Sequence, residues 1–362
     1  MNLGALRTES IAAFFCFVVS FSTTTVGQEP TEQPPKSTPS TTQRLLGKAL
    51  TAVPKTVQIE LGNRSTGRIT VQGWDRDEVE ARAFSSRGEE VVIFARGDEL
   101  TRRIFLKADY ANKSGTGDPT DVLDSPPIEN DEVLQIHLEV SVPRSAQLER
   151  IRVIRSNVQV VGIDTSVTVE SKSASVVLKQ VGPAEVHTRE GAVEIENARG
   201  YVNVTSTSGS IGVTNSMGGV RANSIAGSIE LRCITGRVDV TTAKAPLELI
   251  GVDGDVEAMA ANSSLRFTGS LRENGRYLLK TLSGRVEMIL PASVRGFTAT
   301  LVSYQGLIET DFSLQGGASA QDNVPNRRIA GRYGNGSPQI ILDSFDGLVK
   351  LTRISGAMPD CK

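Results

Sequence analysis

Two histidines, His137 and His187, are the only imidazoles in 362 residues. Neither stands near a Gly-x-Ser-x-Gly elbow, and the chain has no HExxH or CxxC. The local signatures of a serine hydrolase, a zinc protease and a thiol redox centre are therefore missing. What the sequence does offer is carboxylates on a regular spacing. Glu185, Glu194, Glu230, Asp239, Glu248 and Glu257, with Arg221 and Arg266, each stand between two apolar residues. With 18 residues to a coil, one face carries Glu194, Gly212, Glu230, Glu248 and Arg266. The other carries Glu185, Asn203, Arg221, Asp239 and Glu257. Neighbouring carboxyls would then lie near the roughly 5–5.5 Å separation used by retaining glycosidases.

Distance alone does not make a glycosidase. The reaction also needs a partly desolvated cleft, with aromatic platforms for the sugar rings. Trp74 is the only Trp and lies outside the regular spacing. Next to an Asp-rich turn it is expected to cover a sheet edge or the core rather than to hold a ligand. The stacked carboxylates are read as a solvated strand face, with weak cation binding and catalysis as lesser readings. No catalytic, cofactor or metal residue is assigned. The eight charged residues named above form a candidate binding face. A calcium β-roll is also excluded, because its nine-residue repeat places Asp at each corner. Here the corners read GAVEI, GYVNV, GSIGV, GSIEL and GRVDV.

The elements that must position these residues follow from the repeat. Stepping nine residues from Gly182 meets Gly191, Gly200, Gly209, Gly218, Gly227 and Gly236, then Ala245, Gly254 and Ser263. Two and four residues beyond each come apolar pairs such as Val193/Ile195, Val202/Val204, Ile211/Val213 and Ile229/Leu231. Two apolar residues flanking a polar one make a minimal strand with one buried face. Glycine allows a sharp corner. Nine residues are too few for a βαβ crossover, and the Asn-Gly or Asp-Gly pairs of an antiparallel meander are scarce. The prediction is an all-β fold, a parallel β-solenoid (β-helix) of about 18 residues per coil in two nine-residue units. Val202 should lie beside Val220, and Ile211 beside Ile229.

The flanks complete the plan. Ile11–Phe21 is an apolar run behind Arg7, and Thr25 and Gly27 suit signal cleavage. Residues 1–27 are expected to be an export signal, too short in its apolar run to span a membrane. Residues 28–54, rich at first in Pro, Ser and Thr, read as a linker. Residues 55–150 read as a short-stranded β region that caps or starts the solenoid, interrupted by an acidic loop at 117–132. Residues 151–312 hold the repeats, and 313–362 an insertion, the final strands and a tail. With Cys16 removed in the signal, Cys233 and Cys361 remain. Export permits a disulfide, but one cysteine lies mid-repeat and the other in the tail, so the sequence leans against their pairing. A net charge of −2 gives no case for nucleic acid.

The segments LGNRSTGRITVQGWDRDEVEARA (61–83), HLEVSVPRSAQLERIRV (137–153), the glycine-paced run from Gly191 and SPQIILDSFDGLVKL (337–351) together resemble a bacterial putative-adhesin family of unknown function. The resemblance covers most of the chain beyond the linker and implies a right-handed parallel β-helix at the cell envelope. It brings no catalytic residues. The long acidic loop and an insertion at 316–335 depart from the family pattern. The expected function is that of a non-catalytic exported envelope protein, periplasmic or at the cell surface. It would be an adhesin-like binding or scaffold module whose partner is an envelope protein or a surface polymer. A polysaccharide-active β-helix enzyme and a mechanical spacer are the alternatives.

Overall fold

Alternation of apolar and polar residues at period two, interrupted by a glycine every nine residues, leaves strands of five to seven residues between Ala184 and Asp253. Among the described residues the chain builds its strands into two 14-stranded sheets. A computed structural model describes residues 40–45, 56–61, 65–85, 91–98, 103–110, 134–316, 327–354 and Cys361. All belong to one unit, Thr38–Lys362.

Alternate nine-residue units enter alternate sheets. In the first sheet Val193–Ala198, Ile211–Ser216, Ile229–Thr235 and Leu247–Asp253 pair in parallel. In the second, Ala184–Glu190, Val202–Ser206, Val220–Ser224 and Val238–Thr242 do the same. Val202 is in register with Val220, and Ile211 with Ile229. The 18-residue coil expected from the sequence is therefore present, and no closed barrel forms.

The inner faces meet in a thin core. Val202, Val204, Val220, Val238, Leu231 and Leu249 are fully buried, each under the equivalent residue of the next coil. Fully burying such a side chain is worth about 1.5–3 kcal/mol. At several corners the coil backbones approach closely enough to leave no room for a side chain. A Cβ on Gly209 would lie 1.8 Å from the carbonyl oxygen of Gly191 one coil away. Gly212, by contrast, is an outward strand position, where the nearest atom to an added Cβ is 3.9 Å off.

Neither end of the stack follows chain order. Thr56–Leu61 and Ser65–Trp74 already form a full coil, packed on the coil of Gln147–Val153 and Arg155–Ile163. The strands Arg103–Tyr110 and Leu134–Pro143 stack outside it. At the other end, Gln339–Asp346 and Val349–Ile354 slip between the coil of Arg276–Ser283 and Val286–Pro291 and the later strands Gly296–Ser303 and Ile308–Thr310. Antiparallel strands close both ends: Ser40–Leu45, Val79–Ser85 and Val91–Asp98 at one, Arg327–Gly334 at the other. Such reversals blunt an edge that another chain would otherwise extend.

Two expectations change in consequence. Ser40–Leu45, inside the stretch whose composition reads as linker, is a strand paired with Val79–Ser85. The 316–335 insertion supplies the capping strand Arg327–Gly334, whose Tyr333 joins Phe297 and Phe312 in an aromatic plug with ring centroids 5.0–5.4 Å apart. The signal segment, the acidic loop at 117–132 and most of the linker lie outside the described residues.

The corner geometry predicts that Gly209→Ala lowers stability by several kcal/mol, since backbone must shift to admit the methyl. Gly212→Ala should leave the urea midpoint unchanged or slightly raised, by about 0.4–1 kcal/mol at most. Equal losses from the two would contradict the close-contact assignment. For the in/out assignment, Ile229→Asp should cost several kcal/mol, on the order of a buried unpaired charge. Glu230→Ala should cost about 0.5 kcal/mol or less. Matching urea midpoints for that second pair would overturn it.

Candidate functional site

The outward residues of each coil are set in rows by the register. Along the first sheet run Glu194, Gly212, Glu230, Glu248, Arg266 and Glu287, one per coil. Along the second run Glu185, Asn203, Arg221, Asp239 and Glu257. The two faces read from the spacing are thus assembled with the membership expected. Adjacent coils sit about 4.8 Å apart, so each row is a ladder of mostly charged side chains, broken at Gly212 in one and Asn203 in the other.

Most of these charges are partnered within the rows or beside them. Arg221 donates to Asp239 (2.9 Å), and Arg237 to Glu257 (3.0 Å). Glu230 pairs with Arg232 two residues on. Glu185 accepts from Asn203 (3.2 Å) and meets His187 Nε2 (3.2 Å). Arg266 lies in register beside Glu248 but reaches the other way, to Glu287 (3.4 Å). Lys179 pairs with Glu196 (2.8 Å). Its hydrogen bond to Glu196 and that residue's charge raise the Lys179 pKa, as Asp239 does for Arg221. Exposed pairs of this kind contribute little to stability. What they do is cancel repulsion between like charges stacked one coil apart.

The remaining candidates are accounted for. Trp74 is half-buried; its Nε1 donates to the Glu78 carbonyl (2.8 Å), and Arg76 stacks on its ring at 4.9 Å. His137 stacks on Phe84 (5.1 Å). Among the described residues, no group of three or more His, Cys, Asp or Glu converges to hold a metal ion, and no helix is long and apolar enough to cross a membrane.

Two features escaped the sequence reading. The first is an inward row of hydroxyls at the corner leaving the second sheet. Ser206, Ser224 and Ser303 each accept a hydrogen bond from the backbone N–H of the glycine three residues on, at 2.9–3.0 Å. The signal was present as Ser-x-x-Gly recurring every second unit. Where alanine replaces that glycine, at Ala174 and Ala245, the hydroxyls of Ser171 and Thr242 are buried without a hydrogen-bond partner.

The second feature is the opposite corner, where the chain leaves the first sheet through a left-handed residue in six successive coils. These are Gly162, Gln180, Asn197, Asn215, Cys233 and Gly251, with φ between 53° and 74°. Asparagine and glycine suit this conformation. Asn215 Nδ2 donates to Asn197 Oδ1 (3.2 Å), forming an amide ladder. Cys233 occupies the next rung and is joined to Cys361 across 128 residues. The pairing that the sequence leaned against is therefore made. Register explains it: the glycine at position 251 leaves room, since a Cβ there would lie 2.3 Å from Cys361 Sγ. A cleft of about 530 Å³ runs along this corner, between the left-handed row and a second row of Arg199, Met217, Thr235 and Asp253.

No family model matches the chain, and no curated protein matches it. Among solved structures, the chain is similar to a putative cell adhesion protein from Clostridium sporogenes ATCC 15579. That match has 11% identity and a TM-score of 0.21, over 87% of this chain and 100% of the other. It is also similar to a putative adhesin from Parabacteroides merdae ATCC 43184 (8% identity, TM-score 0.29, 86% and 95% covered). A putative lipid binding protein from Parabacteroides distasonis ATCC 8503 gives 9%, 0.28, and 87% and 97%. At these scores the fold rests on the strand ladders described above, not on the neighbours.

The disulfide closes a long loop, and disulfides are typically worth about 2–4 kcal/mol. Cys361→Ser should lower the urea midpoint accordingly, and reductant should lower the wild type to the same value. A midpoint insensitive to both would show that the bond contributes nothing in solution.

Proposed function

We propose that this chain is a non-catalytic exported envelope protein, an adhesin-like module that binds an envelope protein or a surface polymer. One observation supports this reading above the others. The ionisable side chains are spread over two flat faces and paired with one another along them, rather than gathered around one point. General acid–base catalysis needs two carboxyls whose environments push their pKa values apart. Glu230, held by Arg232, and Glu248, one coil on, both stand on the outer face of the sheet rather than in an enclosed cleft. Association needs no such difference. A row of alternating acids and bases can meet a complementary surface over many small contacts.

A spacer role is the second reading. It is favoured by the continuity of both sheets through 14 strands and by the antiparallel strands that terminate them. A solenoid whose coils each contact only their neighbours gains length without needing a larger core. The two readings are compatible in one molecule.

Two measurements address the proposal. The purified protein, incubated with a panel of envelope and plant polysaccharides, should release no reducing ends. Turnover that disappears in Glu248→Gln or Glu230→Gln would replace the binding reading with an enzymatic one. Immobilised protein should also retain a partner from envelope fractions, and its capture should weaken only slightly with Glu248→Gln alone.

A further inference from the structure

The charged faces are flat, but the left-handed corner is not. We infer that the cleft along this corner is a binding groove for an uncharged oligosaccharide, lying along the solenoid axis. The inference rests on the binding-module reading above and assigns it a site away from the charged ladders.

The groove's dimensions come from the coil. One left-handed residue per coil, from Gln180 to Gly251, spans five coils and hence about 19 Å at the ~4.8 Å spacing, with Cys361 and its bond to Cys233 bounding the Gly251 end. This is the shape of an extended oligomer rather than of a compact ligand. Ala198 and Ser216, the small residues of the buried row behind it, line its middle, where Ile234 and Val252 fill the equivalent places further on.

Its chemistry selects among extended polymers. One wall presents amides: Gln180, Asn197 and Asn215. The Asn215–Asn197 bond uses one donor and one acceptor. The Asn197 nitrogen and the Asn215 oxygen are left to meet a ligand that both donates and accepts, as a sugar hydroxyl does. The other wall offers the Thr235 hydroxyl and the Asp253 carboxylate, and between them and Arg199 stands Met217, 74% exposed. An exposed thioether is an adaptable apolar contact, suited to the C–H face of a sugar ring. A polyanion is disfavoured, because the one guanidinium among the described residues of the groove, Arg199, is already held by Asp164 at 2.7 Å while Asp253 adds negative charge.

A peptide strand is disfavoured by the backbone. The groove runs across the strand ends, where the peptide groups already serve the neighbouring coil: Arg199 N donates to Val181 O, Met217 N to Ala198 O, and Gly236 N to Asp253 O. Among the described residues these bonds leave no ladder edge at the groove for a partner strand to extend. Recognition there falls to side chains, and to groups that a polyhydroxylated chain can match one coil at a time.

The test uses the full mature chain with its disulfide intact. Cellohexaose, xylohexaose, mannohexaose and laminarihexaose are titrated by calorimetry, with oligogalacturonate as the anionic control. At least one neutral hexamer should bind saturably, and more tightly than its dimer. Met217→Trp should obstruct the groove and weaken binding by about tenfold or more, the scale expected for a residue at the centre of a site. Asn215→Gly, which removes the amide while keeping the left-handed backbone available, should do the same. Both variants should keep the wild-type urea midpoint. Glu230→Gln and Glu248→Gln should bind as wild type. Binding that follows those glutamates and ignores Met217→Trp would overturn the groove assignment while sustaining the binding-module reading. Failure of every neutral hexamer, or preference for oligogalacturonate, would overturn the groove's ligand class. Capture of a partner from envelope fractions would then decide the broader reading separately.

Discussion

Everything in this molecule depends on the close parallel stacking of one 18-residue coil on the next. A single coil cannot shelter its own apolar residues. Val202 is buried because Ala184 and Val220 lie on either side of it along the axis. That dependence explains the thinness of the core and the modest size of its side chains. It also explains why glycine is required where backbones approach: at Gly209 the carbonyl of the previous corner already occupies the space of a side chain. A solenoid of this kind is stabilised coil by coil, and its weak places are its ends.

The ends are therefore where regularity breaks. At each one the chain runs outward, reverses into antiparallel strands, and returns to seat a coil inside the last one laid down. Gln339–Asp346 entering between Arg276–Ser283 and Gly296–Ser303 is the clearer instance. The aromatic plug of Phe297, Phe312 and Tyr333, with Arg353 over two of its rings, fills the space that a further coil would have occupied. The disulfide from Cys233 to Cys361 ties the end of the chain to the middle of the stack. These devices make a closed object from a fold that could otherwise grow.

Stacking also governs the surface. Any residue type placed at an outward position is repeated beside itself one coil away, so like charges accumulate unless the sequence alternates them. Arg221 between Asn203 and Asp239, and Arg266 between Glu248 and Glu287, are the alternations that result. The same geometry at the left-handed corner stacks amides, which attract rather than repel one another. A charged ladder and a groove of amides are thus two products of one repeat, differing only in which row of the coil they occupy.

The sequence by itself determined the architecture, the coil length, the inward rows and the membership of both charged faces. All of these follow from local periodicity, and periodicity survives in one dimension. It also carried a difference between alternate units, Ser-x-x-Gly closing one and a left-handed Asn, Cys or Gly closing the other, visible only at the 18-residue period. Tertiary structure alone decided the rest. Whether Cys361 reaches Cys233 depends on which coil the final strands join, and Val349–Ile354 joins one out of chain order. The strand at Ser40–Leu45 exists through its pairing with Val79–Ser85, and its own composition gives no sign of it. The groove is likewise invisible along the chain, because its walls are residues 17 or 18 positions apart that meet only when the backbone has turned full circle.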